Sequence, residues 1–153
     1  AAIARVVFYG WSLTGTRSLA EFFYNNLTAR KPVNGFTDMF FSPLYVGHLA
    51  KALLEILQKR LSGIYHVYSP ESLSKYDFGV RLAHEFGLDA NLIRPISARD
   101  SDLLTRRSLY LSMNTDKLQA ALGKPLPNQN EGLRALHAHL DSGLRQKLLS
   151  FTH

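Results

Sequence analysis

Apolar and polar positions switch between a period of two and a period near 3.6 along this chain. Ile3 to Tyr9 is a run of β-branched and aromatic residues that stops at Gly10, and it predicts a buried strand. Trp11 to Arg17, with Gly15 and several hydroxyl residues, reads as a loop. Ser18 opens a helix from Leu19 to about Arg30. Glu21 stands three residues on, the spacing of a capping box, and Leu19, Phe22, Phe23 and Leu27 form the apolar face. Pro32 stops it. Val33 to Phe41 predicts a short strand and turn, and Pro43 starts a new segment. The next helix runs from about Val46 to Arg60, with Leu49, Leu53, Ile56 and Leu57 as its buried stripe.

Gly63 opens a strand from Ile64 to Tyr68. Ser74 caps a helix that ends at Gly87, and Asn91 to Ile96 is a further short strand. Residues 98–108 form a charged loop, and Leu109 to Met113 is extended. A helix from Thr115 to Leu122 ends at Gly123, and one last amphipathic helix runs from about Glu131 to Leu149. Strands that alternate with five helices predict an α/β class. With no repeat or linker, residues 1–153 are expected to form one domain.

Composition narrows the chemistry. No cysteine is present, which removes disulfides and thiolate metal sites and fits a reducing, cytoplasmic location. No apolar run reaches the roughly 20 residues of a membrane span. Asn26-Leu27-Thr28 matches a glycosylation sequon and is read as accidental. The formal charge is +6, but the basic residues are scattered in pairs such as Arg30-Lys31, Lys59-Arg60 and Arg106-Arg107. No basic stripe interleaved with aromatics appears, so a nucleic-acid partner is not expected. One or two well-placed arginines are enough to grip a diphosphate.

Four segments carry a resemblance. Arg5-Val6-Val7-Phe8-Tyr9-Gly10-Trp11 comes first, and Phe36-Thr37-Asp38 through Ser42-Pro43-Leu44-Tyr45-Val46 second. Gly63-Ile64-Tyr65-His66-Val67 with Ser74-Lys75-Tyr76-Asp77-Phe78 is third. The last runs from Arg107 through Leu111-Ser112-Met113-Asn114 to Leu122-Gly123. In this order they resemble the second half of extended short-chain dehydrogenase/reductases, in particular the dTDP-4-dehydrorhamnose reductase-like, NAD-dependent epimerase/dehydratase group. The resemblance implies the C-terminal, substrate-binding portion of a Rossmann-type enzyme that reduces a 4-keto nucleotide-sugar with NAD(P)H. It also implies a dTDP-linked ligand. His48 stands where the family often has Asp, Ser108 replaces its Pro, and Tyr110 its Asn.

Family members use a Tyr four residues before a Lys, and a glycine-rich phosphate turn. Four residues beyond the tyrosines here stand Leu13, Thr28, Leu49, Ser69, Ser72, Val80 and Asn114, none of them Lys. No two glycines are spaced as G-x-G or G-x-x-G. The expectation is a chain that is inactive alone and has no cofactor site of its own. NAD(P) would be bound by an N-terminal Rossmann half that these residues do not include. Strands cut from such a sheet leave open edges, so self-association or pairing with that half is expected. The alternative is a non-catalytic binding or regulatory subunit on the same fold.

The candidate ligand residues follow. Arg106 and Arg107 can hold a diphosphate or pair with Asp100 and Asp102, and Arg107 occupies the family's Arg position. Arg17 precedes a helix N-terminus whose N–H groups suit an anion. Trp11 can cover a sugar or nucleotide ring, or pack in the core. Phe36 and Phe41 can stack or pack. Ser42 can bond a ligand or cap the following helix. No residue is assigned a catalytic role. His137 and His139 are two apart on a helix and point apart, so no metal site is expected there.

Overall fold

The computed structural model describes residues 1–100 and 109–151. Nine strands and six helices are found among them. The strands are β1 (Ala2–Val6), β2 (Phe8–Tyr9), β3 (Val33–Phe36), β4 (Phe40–Phe41), β5 (Leu44–Tyr45), β6 (Gly63–Val67), β7 (Leu73–Ser74), β8 (Ile93–Ile96) and β9 (Tyr110–Leu111). The helices are α1 (Leu19–Thr28), α2 (Val46–Gln58), α3 (Lys75–Phe86), α4 (Asp116–Leu122), α5 (Gln129–Asp141) and α6 (Leu144–Ser150). β1 pairs in parallel with β6, β2 with β5, and β3 with β8. β4 lies between antiparallel β7 and parallel β9. Parallel pairing needs crossovers, and the helices supply them. The class is α/β, as the alternation predicts.

Two apolar clusters hold these elements. In the first, Phe78 of α3 is fully buried, with its ring 5.0 Å from Tyr9 and 5.4 Å from Phe41. Phe23, Leu82, Leu133 and Leu136 close around them. In the second, Leu49, Ala52 and Ile56 of α2 meet Tyr65 and Val67 of β6 and Leu118 and Leu122 of α4.

Local signals in the sequence set most boundaries. The Ser18–Glu21 capping box forms, with both reciprocal bonds present. Ser74 caps α3, and left-handed Gly87 and Gly123 end α3 and α4.

Five expectations need correction. The first strand is two, because after Val6 the backbone leaves β6 and the Val7 carbonyl accepts the Leu44 N–H at 2.9 Å. The segment before Ile93 is a 3-10 turn over Ala90–Leu92, capped by the Asp89 carboxylate, so β8 starts later than Asn91. The last helix is also two. Gly143 takes a left-handed φ of 81°, which turns the chain between α5 and α6. On α2, Ala52 takes the place expected for Leu53, and Leu53 and Leu57 face outward at 36% and 71% exposure. On α1, Phe22 is exposed while Ala20 is buried.

Asp38 ties the 36–43 turn to the segment after β8. Its carboxylate accepts the Ser97 hydroxyl at 2.6 Å and the N–H groups of Ala98 and Arg99 at 2.7 and 3.2 Å. Those bonds, the Ser97 hydroxyl foremost, hold its pKa down at about 2 against an ordinary 3.8. The tie is therefore fully present above pH 3.8 and is lost as pH falls through about 2. Hydrogen exchange should find the Ala98 amide protected at neutral pH and deprotected across that acid window. Asp38→Asn should deprotect it at all pH values. Phe78→Ala should lower stability by about 3–5 kcal/mol, read from the urea midpoint, because its ring is enclosed on every side.

Candidate functional site

A cleft of about 400 Å³ opens where β2 ends and α1 and α2 begin. Phe8, Trp11, Ser12 and Arg17 line it, with Ser18 at the start of α1 and Val46 at the start of α2. Ligand sites in open α/β sheets lie beyond the carboxyl ends of strands, and β2 and β5 both end here.

One buried carboxylate shapes its rim. Glu21 is fully buried and accepts the Ser12 N–H at 3.1 Å and the Ser12 hydroxyl at 2.7 Å. It also accepts the N–H groups of Arg17 and Ser18 at 3.2 and 3.1 Å. The Ser18 hydroxyl accepts the Glu21 N–H and donates to the Gly10 carbonyl at 2.8 Å. Four hydrogen bonds compensate the burial of this charge. They engage loop N–H groups ahead of this helix start. The N–H groups of Arg17, Ser18 and Glu21 are turned inward. The Arg17 side chain is exposed at the rim.

Trp11 is a wall of the cleft more than a platform. Only 7% of it is exposed, and its indole N–H donates to the Leu136 carbonyl at 3.0 Å. Its ring meets Tyr24 edge-on at 5.1 Å. The other candidates lie apart from the cleft. Phe36 is half-buried on β3, and Phe41 is buried against Phe78. Ser42 is buried beyond β4, and its hydroxyl donates to the Ser112 hydroxyl at 3.1 Å. Trp11 and Arg17 are thus brought together, and Phe36, Phe41 and Ser42 line a different part of the fold. Arg106 and Arg107 lie outside the described residues.

Sequence reasoning missed a polar row on that second part. Ser72 and Ser112 share a hydrogen bond of 2.6 Å, which joins Ser42, Ser112 and Ser72 one step past the paired residues of β4, β9 and β7. On two of these strands, β4 and β9, Phe40 and Tyr110 stack at 5.6 Å with 6° between their planes. Strand register makes both groupings, and register is not written in any single segment.

The buried phenols offer no base. Burial, with Tyr45 nearby, pushes the Tyr9 hydroxyl far above its ordinary value, and burial raises Tyr45 to about 12. The Tyr45 hydroxyl is hydrogen-bonded to His139 Nδ1. Burial, then the charge of Lys51, holds His48 below the usual histidine range, against an opposing pull from Glu131. Among the described residues no group of three His, Asp or Glu side chains is arranged to hold a metal ion. No helix among them is long and apolar enough to cross a membrane.

Comparison with known proteins covers nearly all of this architecture. The family described as the RmlD substrate binding domain matches residues 2–142. A probable low-salt glycan biosynthesis reductase of Haloferax volcanii is 31% identical over 114 residues, which is 74% of this chain and 38% of the relative. A dTDP-4-dehydrorhamnose reductase of Bacillus anthracis, solved in complex with NADP, superposes with a TM-score of 0.80 at 21% identity, over 90% of this chain and 48% of that one. A dTDP-4-dehydrorhamnose reductase ortholog of Clostridium acetobutylicum gives a TM-score of 0.78 at 18% identity, over 92% and 49%. The chain spans about half the length of these solved relatives, and less of the curated one. At those identities the superpositions establish a shared fold of the Rossmann-type reductases, and the family match goes further: this chain belongs to the RmlD substrate binding domain family.

Proposed function

We propose that this chain holds the nucleotide-sugar, dTDP-linked, of an NAD(P)-dependent reductase of 4-keto sugars. The dinucleotide cleft and the proton-donating Tyr/Lys pair belong to a Rossmann segment outside these 153 residues. One observation carries this reading. The substrate binding family covers residues 2–142, and those residues contain neither a G-x-G spacing nor a Tyr-x-x-x-Lys.

The loop before α1 supports a dinucleotide site elsewhere. A pyrophosphate needs backbone N–H groups aimed outward at a helix start. Here the loop before α1 gives its N–H groups to Glu21 instead. This chain's work is therefore to bind and orient. Arg107, from the family's Arg position, grips the diphosphate by charge-assisted bonds, and Arg17 adds a second cation at the rim. Trp11 forms a cleft wall. The free edge of β1, with Ile3 and Ile64 exposed beside it, receives the Rossmann half or, without it, a second copy.

Calorimetric titration of the chain tests this reading. A dTDP-sugar should bind, and NADPH should not. Arg107→Ala should weaken the dTDP-sugar by about tenfold or more, the loss of one charged hydrogen-bonding group. Micromolar NADPH binding with no response to the dTDP-sugar would reject the assignment.

A further inference from the structure

The family match ends at residue 142, and α6 lies just beyond it. Gly143, in its left-handed conformation, folds α6 back toward the loop that rims the cleft. The contact is specific. The Arg145 guanidinium lies over two rings, 5.4 Å from the centre of Trp11 and 5.2 Å from that of Tyr24. Its Nη2 donates to Asn25 Oδ1 at 2.8 Å. Asn25 in turn donates from Nδ2 to the Gly15 carbonyl at 2.8 Å. Leu149 covers Gly15 so closely that a methyl there would come within 3.2 Å of its Cδ2.

Every group reached this way belongs to the cleft rim or its support. Trp11 lines the cleft, and Gly15 sits between Ser12 and Arg17, which line it too. Glu21 fixes this loop from the inner side, and α6 fixes it from the outer side. The loop of eight residues between β2 and the α1 cap, Gly10 to Arg17, has little apolar surface of its own to hold one shape. A guanidinium suits this joint, because it stacks on rings and still donates, here from Nη2 to Asn25.

We infer that α6 is a strap that sets the shape of the cleft, and that Arg145 is the positioning residue through which it acts on Trp11 and the 12–17 loop. The inference rests on the reading of the cleft as part of the ligand site. Its spectroscopic consequence does not. Trp11 is the single tryptophan of the chain, so emission under tryptophan-selective excitation reports the surroundings of this ring.

The experiment compares the wild-type chain with Arg145→Ala and Arg145→Lys, reading Trp11 emission, acrylamide quenching and dTDP-glucose affinity. Arg145→Ala should shift emission to the red and raise the quenching constant, with far-UV circular dichroism unchanged. Affinity for dTDP-glucose should fall about fivefold, the scale of one lost cation–ring contact. Arg145→Lys keeps a cation near the rings without the planar group that also reaches Asn25, and should fall between. It serves as the readout should the alanine variant fail to fold. Unchanged Trp11 emission and quenching would overturn the strap. Altered emission with unchanged affinity would overturn the positioning role. A wild-type chain that does not bind dTDP-glucose would instead reject the ligand reading, and the positioning role with it.

Discussion

A parallel strand is best held with a neighbour on each edge and cover on each face, and among the described residues β1 pairs with β6 alone and is exposed from Ala2 to Arg5. It pairs with β6 over five residues in register from Ala2↔Gly63 to Val6↔Val67. One face of that pair is covered toward its carboxyl end, where Val6, Tyr65 and Val67 meet α2 and α4. The other presents Ile3 and Ile64, paired side by side and 59% and 44% exposed. Parallel sheets are stable when both faces are covered, and an open edge is a template for another strand. Leu54 and Leu57 of α2 stand exposed as well. The domain therefore presents unfinished surface on its sheet side, and this constrains any account of what it does.

The loops at the strand ends, the cleft rim among them, are finished by contrast. Glu21 gathers the 12–18 loop, Asp38 gathers the 97–99 segment, and the Ser42–Ser112–Ser72 row ties three strand ends. Each tie replaces water with a directed polar contact at partly buried cost, which is the way a site is held in one shape. Fixed loops beside an open sheet suit a part that orients a ligand while its chemistry is supplied across the open side.

Local rules explain what could be read from the chain in advance. A capping box is written within four residues, and Ser18 and Glu21 obey it. Glycine stops are written in one residue, as at Gly87 and Gly123. Failures came where two faces competed or where partners were far apart. Leucines on both sides of α2 make two stripes of similar strength, and packing against β6 selected the one with Ala52. A helical pattern that continues through Ser142-Gly143 hides the break that Gly143 makes. The Trp11 indole finds its acceptor 125 residues away, at Leu136, and Arg145 finds Asn25 across 120 residues. No window of sequence contains either pair. The serine row likewise depends on the register of three separate strands.

The most direct measurement is sedimentation velocity of the chain over a wide concentration range, repeated with Ile3→Asp and Ile64→Lys. The unfinished sheet predicts concentration-dependent association that these two charges reduce. A well-behaved monomer at high concentration, unaffected by either substitution, would contradict the claim that this fold is the ligand-holding part of a two-part enzyme.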